Sequence, residues 1–295
     1  MLAVVLAAGS FAAGAGTVPG SSTAPSGAPA ASRPTPSIGG DKVALRLVSL
    51  APSMTEVLFA LGAGPYVVGV SDHCDHPPEV AGLPRVGSFL LPVVESVLAL
   101  EPDLVITPPS PGNRNAVEAL IRAGVAVEVV GEGTIADLRY AIARLGSRLA
   151  MGPEAGRLLA RLDAELAALP GAGTEQSRPR VALVLTRRPL VLAGPDSYLG
   201  ELIELAGGDN IATAAGGPWP RVAWEFLVAS APEVIIDLSM DGVGSTAALK
   251  AWRDHDELPA VAGGRVHAPD TGLYARPGPR LGQAARGLAE MIGAK

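Results

Sequence analysis

Glu95-Ser-Val-Leu-Ala-Leu-Glu-Pro-Asp-Leu-Val-Ile-Thr107 returns, 130 residues later, as Glu225-Phe-Leu-Val-Ala-Ser-Ala-Pro-Glu-Val-Ile-Ile-Asp237. Glu95/Glu225, Ala99/Ala229, Pro102/Pro232 and Ile106/Ile236 are identical, and most other pairs are similar. The same shift lays Phe89 on Trp219, each six residues before its glutamate. In each copy a short helical stretch ends before a proline and gives way to a β-branched run. That order belongs to an α/β unit, so the repeat predicts two α/β lobes of like construction.

Outward from the repeat, short apolar runs alternate with longer helical patterns. Leu45 to Leu50 reads as a strand leading into Ala51-Pro52-Ser53-Met54-Thr55-Glu56, where Ser53 and Glu56 have the spacing of a capping box. Tyr66 to Val70, Leu104 to Thr107 and Val125 to Val130 read as further strands. Helices are expected from Asn113 to Ala123 and from Ile135 to Ala150. Ala155, Leu158, Leu159, Leu162, Leu166 and Leu169 then recur at helical spacing between Pro153 and Pro170, predicting one long amphipathic helix. Gly171 to Pro179 reads as a boundary. Beyond it come strands at Val181 to Thr186, Leu190 to Ala193 and Val234 to Leu238, a helix from Ser197 to Ala206, and a last helix after Pro279. The organisation expected is residues 1–40 as an export-signal remnant and tether, 41–150 as the first lobe, 151–172 as the bridging helix and 173–295 as the second lobe.

Composition narrows the function. The chain of 295 residues has a net charge of −6 and no run of Lys or Arg, which excludes the clustered positive face of a nucleic-acid binder. Its single cysteine, Cys74, excludes an internal disulfide and any cysteine cluster for zinc or iron–sulfur. No Asp, Glu, Lys or Arg precedes Arg33. Met1 to Ala8 is apolar but too short to span a membrane, and the Ala/Gly/Ser/Thr/Pro-rich stretch to Gly40 cannot bury enough apolar surface to fold. This segment reads as an export signal plus tether lacking the usual basic start, with Ser10 where a lipoprotein would carry its lipidated cysteine.

Phe89 and Trp219, one in each half, suit two walls of a shared cleft for a flat, mostly apolar ligand; the alternative is that both are ordinary core anchors. Glu95 and Glu225 open helices, where the helix dipole favours a carboxylate. Matched on two lobes, they also suit a symmetric partner carrying arginines.

These residues carry a family resemblance. Arg46 to Gly64, Val68 to Glu79, Glu101 to Ile106 and Gly217-Pro-Trp-Pro-Arg-Val-Ala-Trp-Glu225 resemble the periplasmic cobalamin-binding proteins of ABC importers, over nearly all of residues 43 to 292. The wider family of metal-chelate binders with a helical backbone also holds ferric-siderophore and haem binders. The resemblance implies two α/β lobes joined by a single long backbone helix, little hinge motion, and a chelate held between the lobes. It implies that Phe89 and Trp219 pack on the ligand and that Glu95 and Glu225 dock on arginines of a dimeric permease with its ATPase subunits. It places His73 near the metal face, and the loop from Asp270 to Arg280, with Tyr274 and Arg276, on the third side of the cleft. Phe89 replaces a family tryptophan, and the loop is longer than the cobalamin pattern.

His73, Cys74, Asp75 and His76 pack three kinds of metal ligand into four residues. Neighbours in one loop cannot all reach one metal, so a turn stabilised by Asp75 before Pro77-Pro78 is expected; axial contact of His73 with a bound chelate and a free-metal site are the alternatives. A metal-dependent hydrolase using His73 and His76 is the enzyme alternative, but no G-x-S-x-G elbow, P-loop or H-E-x-x-H helix accompanies them. The expectation is therefore a monomeric, exported, non-catalytic substrate-binding protein with no resident cofactor or metal, periplasmic or tethered to the outer face of the cytoplasmic membrane. It would bind cobalamin or a related corrinoid, or alternatively haem or a ferric siderophore, through Ser53, His73, Phe89, Trp219, Asp270, Tyr274 and Arg276.

Overall fold

The computed structural model describes residues 45–172, 178–239 and 245–293. The expected export segment and most of the Gly171–Pro179 boundary lie outside them.

The first half builds a sheet from β1 (Leu47–Ser49), β2 (Val67–Val70), β3 (Leu104–Thr107) and β4 (Ala126–Val129), in the order β2-β1-β3-β4 with every pair parallel. Helices α1 (Pro52–Ala60), α2 (Val94–Ala99), α3 (Arg114–Arg122) and α4 (Ile135–Arg148) connect or follow these strands, as parallel pairing demands. Thr134 caps α4: its side chain accepts from the Asp137 amide while Asp137 reaches back, a capping box that ends the turn after β4.

The second half holds β5 (Arg180–Arg187), β6 (Leu190–Leu192), β7 (Asp209–Asn210), β8 (Val234–Asp237) and β9 (Val266–His267). Its order is β6-β5-β8-β9, with β7 against the start of β5. Only Arg188-Pro189 separates β5 from β6, too short for a crossover, so this pair is antiparallel and the second sheet is not an all-parallel copy of the first. Helices α6 (Tyr198–Leu205), α7 (Trp224–Ser230), α8 (Ser245–Trp252), α9 (Pro259–Ala262), α10 (Thr271–Tyr274) and α11 (Leu281–Ile292) complete it.

The repeat survives in three dimensions. Shifted by 130, the starts of α2 and β3 fall on those of α7 and β8. Glu101 and Ala231, paired by the same shift, both turn left-handed, with φ of 45° and 44°. Gly87 and Gly217, two residues before Phe89 and Trp219, both have positive φ (90° and 74°), which glycine adopts without a Cβ clash.

Helix α5 (Gly152–Ala167) carries the chain from one sheet to the other. It is shorter than the periodicity predicted, because Leu169 already bonds back to the Leu166 carbonyl and a tight turn starts at Pro170. At 1.5 Å per residue its 16 residues still span about 24 Å. Ala155, Leu158, Leu162 and Leu166 are buried, and the helix packs on α4 and α11. One apolar core therefore runs from Leu47, Leu104 and Ile106 in the first sheet, through these helices, to Val181, Leu183, Val234 and Ile236 in the second. Separate clusters cover the other sheet faces. Hinging the halves apart would expose part of the shared core at about 25 cal/mol per Å², which holds them in one arrangement.

Candidate interlobe ligand site

Strands β1, β3 and β4 all end at one edge of the first sheet, and in open α/β sheets ligands gather at the carboxyl ends of the strands. The turns leaving them supply Pro52 and Ser53, Pro108, Pro109 and Ser110, and Gly131, Glu132 and Gly133 to a cleft of about 320 Å³. The second half closes it with Tyr198, Trp219 and the Ala275-Arg276-Pro277 segment, and Phe89 and His73 join from the first half.

Ser53, His73, Phe89, Trp219 and Arg276 thus line one cleft. Phe89 is only 4% exposed and packs in the first half's own core with Val86 and Val97, so it offers the cleft little surface. Trp219 is half-buried and meets Tyr198 edge-on, with ring centres 6.2 Å apart. Tyr198 is itself pinned: its hydroxyl donates to the Tyr274 carbonyl at 2.7 Å and its amide to the Gly133 carbonyl at 2.8 Å. Asp270 and Tyr274 do not line the cleft. Asp270 caps α10 by accepting from the Gly272 amide, and Tyr274 is buried beside Gly287.

Two local expectations are corrected. Ser53 and Glu56 form no capping box, because Pro52 begins α1 and Ala51 occupies the cap position without a side-chain bond. Ser53 instead donates to the Glu132 carboxylate across 79 residues of sequence. Glu56 is 4% exposed and receives Arg280 through two hydrogen bonds of 2.8 and 2.6 Å, with Arg276 at 3.6 Å. Asp75, expected to brace its own turn, instead accepts two bonds from Arg276, at 2.6 and 3.2 Å. Two arginines before α11 are thereby tied to two carboxylates of the first half, a latch across the lobes. Partial burial would raise the Asp75 pKa, but the Arg276 bonds and charge outweigh it and hold the carboxyl below its usual range.

Sequence reasoning missed Glu132. Partly buried in the cleft, its carboxyl is pushed up to about 7 by desolvation, against which the Ser53 hydroxyl and the Arg276 charge work. The available signal was its position: a lone carboxylate between two glycines, just past a strand's carboxyl end.

His73 is exposed at the cleft rim, and His76 does not line the cleft. Cys74 is buried between the Thr55 and Ser71 hydroxyls, and that burial raises its thiol pKa. Among the described residues no three His, Cys, Asp or Glu side chains group as a metal site. Glu95 and Glu225 stand exposed in the first turns of α2 and α7. A second cavity, about 680 Å³, is lined by Arg187, Trp224, Trp252 and His255 from the second half alone. Of these two cavities, the first draws on both halves and on the predicted residues.

Comparison with known proteins agrees with this architecture. A family model described as periplasmic binding protein matches residues 47–270. A vitamin B12-binding protein of Vibrio parahaemolyticus is 29% identical, the match covering 80% of this chain and 84% of that protein. An ABC transporter substrate-binding lipoprotein of Bacillus subtilis is 30% identical over 84% of this chain and 79% of its own length. The structure of a periplasmic heme-binding protein from Roseiflexus superposes with a TM-score of 0.74 at 29% identity, covering 84% of this chain and 98% of that one. These relatives are named for binding and transport, and none as an enzyme.

Proposed function

We propose that this chain, which belongs to the periplasmic binding protein family, captures cobalamin or a related corrinoid in the interlobe cleft and delivers it to an ABC permease dimer with its ATPase subunits. One observation carries the reading: aromatic residues at matching positions of the two repeats, Phe89 and Trp219, reach the same cleft. A planar chelate buries apolar ring surface there, while the polar groups of Ser53, Glu132 and Arg276 face its periphery. The continuous core and the Glu56–Arg280 latch favour a preformed site, so little ordering cost accompanies binding. His73, at the rim, is within the ligand set; axial contact with the chelated metal is its proposed role.

Glu95 and Glu225, exposed at equivalent helix starts, are the proposed docking points for permease arginines. Work outside the cytoplasmic membrane follows from this role and fits the charge-free opening segment as a signal or tether. A haem or ferric-siderophore ligand is the second reading, supported by the likeness to the heme-binding structure.

Calorimetric titration with cyanocobalamin, haemin and ferric siderophores tests the choice. Saturable corrinoid binding is expected; saturable siderophore binding with no heat from corrinoids would sink it.

A further inference from the structure

Among the described residues, Arg276 is the one arginine or lysine lining the cleft, and it is already committed to Glu56 and Asp75. Arg280, behind it, is committed to Glu56 as well. Two cations and two carboxylates balance there. Asp137, from α4, lines the cleft too, and its carboxylate is occupied by the Gly133 and Thr134 amides at 3.1 and 3.0 Å. Tyr198, from α6, is held neutral by burial and uses its hydroxyl on the Tyr274 carbonyl. His73 sits at the solvent edge. Glu132 is therefore an unbalanced acid, with Ser53 as the one side-chain partner the structure assigns to its carboxylate.

Resting on the corrinoid reading, we infer that Glu132 is the residue that sets the charge preference of the cleft, favouring chelates with amide peripheries over chelates with carboxylates. The chemistry is that of donors and acceptors. A carboxylate only accepts, whereas a carboxyl group also donates. An amide does both, so it satisfies Glu132 in either protonation state. A ligand carboxylate only accepts, so it is tolerated when Glu132 carries a proton and repelled when it does not. The balanced arginines leave no surplus positive charge to offset that repulsion.

Calorimetry or absorbance titration at pH 6 and pH 8 reads this directly, comparing wild type with Glu132→Gln and cyanocobalamin with haemin, which bears two propionates. With a midpoint of about 7, the protonated fraction of Glu132 falls about tenfold over that interval. Wild-type affinity for haemin should fall about tenfold more steeply than that of Glu132→Gln, while cyanocobalamin changes less than about threefold in both. If wild type holds no haemin at either pH, Glu132→Gln should acquire it; haemin binding absent from both proteins, beside normal corrinoid binding, overturns the inference. Parallel haemin slopes in the two proteins overturn it alone. Should the variant not fold, a flat wild-type haemin profile has the same force. Failure of wild type to bind either chelate overturns the proposed function along with it.

Discussion

Replacing Glu132 by glutamine should stabilise the protein, and the gain should grow with pH. Burial lifts this carboxyl from its ordinary 4.5 to about 7 in the folded chain, so folding disfavours its ionised form. The sign follows from proton counting. Between these two values the folded state holds more proton than the unfolded one, so stability falls as pH rises through the window and the full penalty stands above it. A rise of about two and a half pH units, at about 1.4 kcal/mol each, gives about 3.5 kcal/mol in full, of which about 3 kcal/mol develops between pH 4.5 and pH 8. Glutamine does not titrate, and its amide oxygen can still accept the Ser53 hydroxyl. The difference in stability between Glu132→Gln and wild type should therefore be smallest near pH 4.5 and about 3 kcal/mol larger at pH 8. For a chain of this size that corresponds to about 6–12 °C in Tm. Differential scanning calorimetry of both proteins at half-unit pH steps measures it, and groups that titrate alike in the two cancel in the difference. A difference that stays flat from pH 4.5 to 8, or that shrinks as pH rises, would refute the buried-acid account of this residue.

Glu56→Gln should cost about 3–5 kcal/mol by leaving Arg276 and Arg280 facing a neutral group in a buried setting, read as a lowered urea midpoint; an unchanged midpoint would remove the latch from the account. Trp219→Ala should weaken chelate binding at least about tenfold while leaving the far-ultraviolet circular dichroism intact, since the ring is half-buried at the cleft and not part of a closed core. Reversing Glu95 and Glu225 to arginine together should abolish uptake in cells with unchanged ligand affinity; a loss of affinity would move these residues from docking to binding. Ala231→Gly should add about 0.5–1 kcal/mol in thermal unfolding, because a φ of 44° strains alanine more than it strains glycine, and a destabilised variant would contradict this.

Much of this molecule could be read from linear pattern. The 130-residue shift predicted that two α/β halves share a plan, and the equivalent starts of α2 and α7, the equivalent strands β3 and β8, and the paired left-handed residues Glu101 and Ala231 follow that shift. Heptad-like leucines marked α5, although its end came three residues early because Pro170 begins a separate turn. The aromatic pair Phe89 and Trp219 pointed to the cleft because loops at equivalent places in two similar lobes converge when the lobes face each other. These features are local or periodic, so backbone sterics and the alternation of apolar side chains suffice to encode them.

Polar partnerships followed a different logic. Ser53 and Glu56 have the spacing of a local cap, yet one bonds Glu132 and the other pairs with Arg276 and Arg280, more than two hundred residues away. Asp75 likewise leaves its turn for Arg276, and Asp270 and Tyr274, grouped with the ligand residues by their loop, turn to a helix cap and to the interior. A buried charge must find a counter-charge wherever the packing places one, and sequence spacing says nothing about which distant groups share a low-dielectric space. By itself, then, the sequence determined two repeated α/β lobes and their bridging helix. The tertiary structure alone decided the polar partners in the interlobe cleft, because it tied Arg276 and Arg280 to Glu56 and Asp75 and left Glu132 bonded to Ser53.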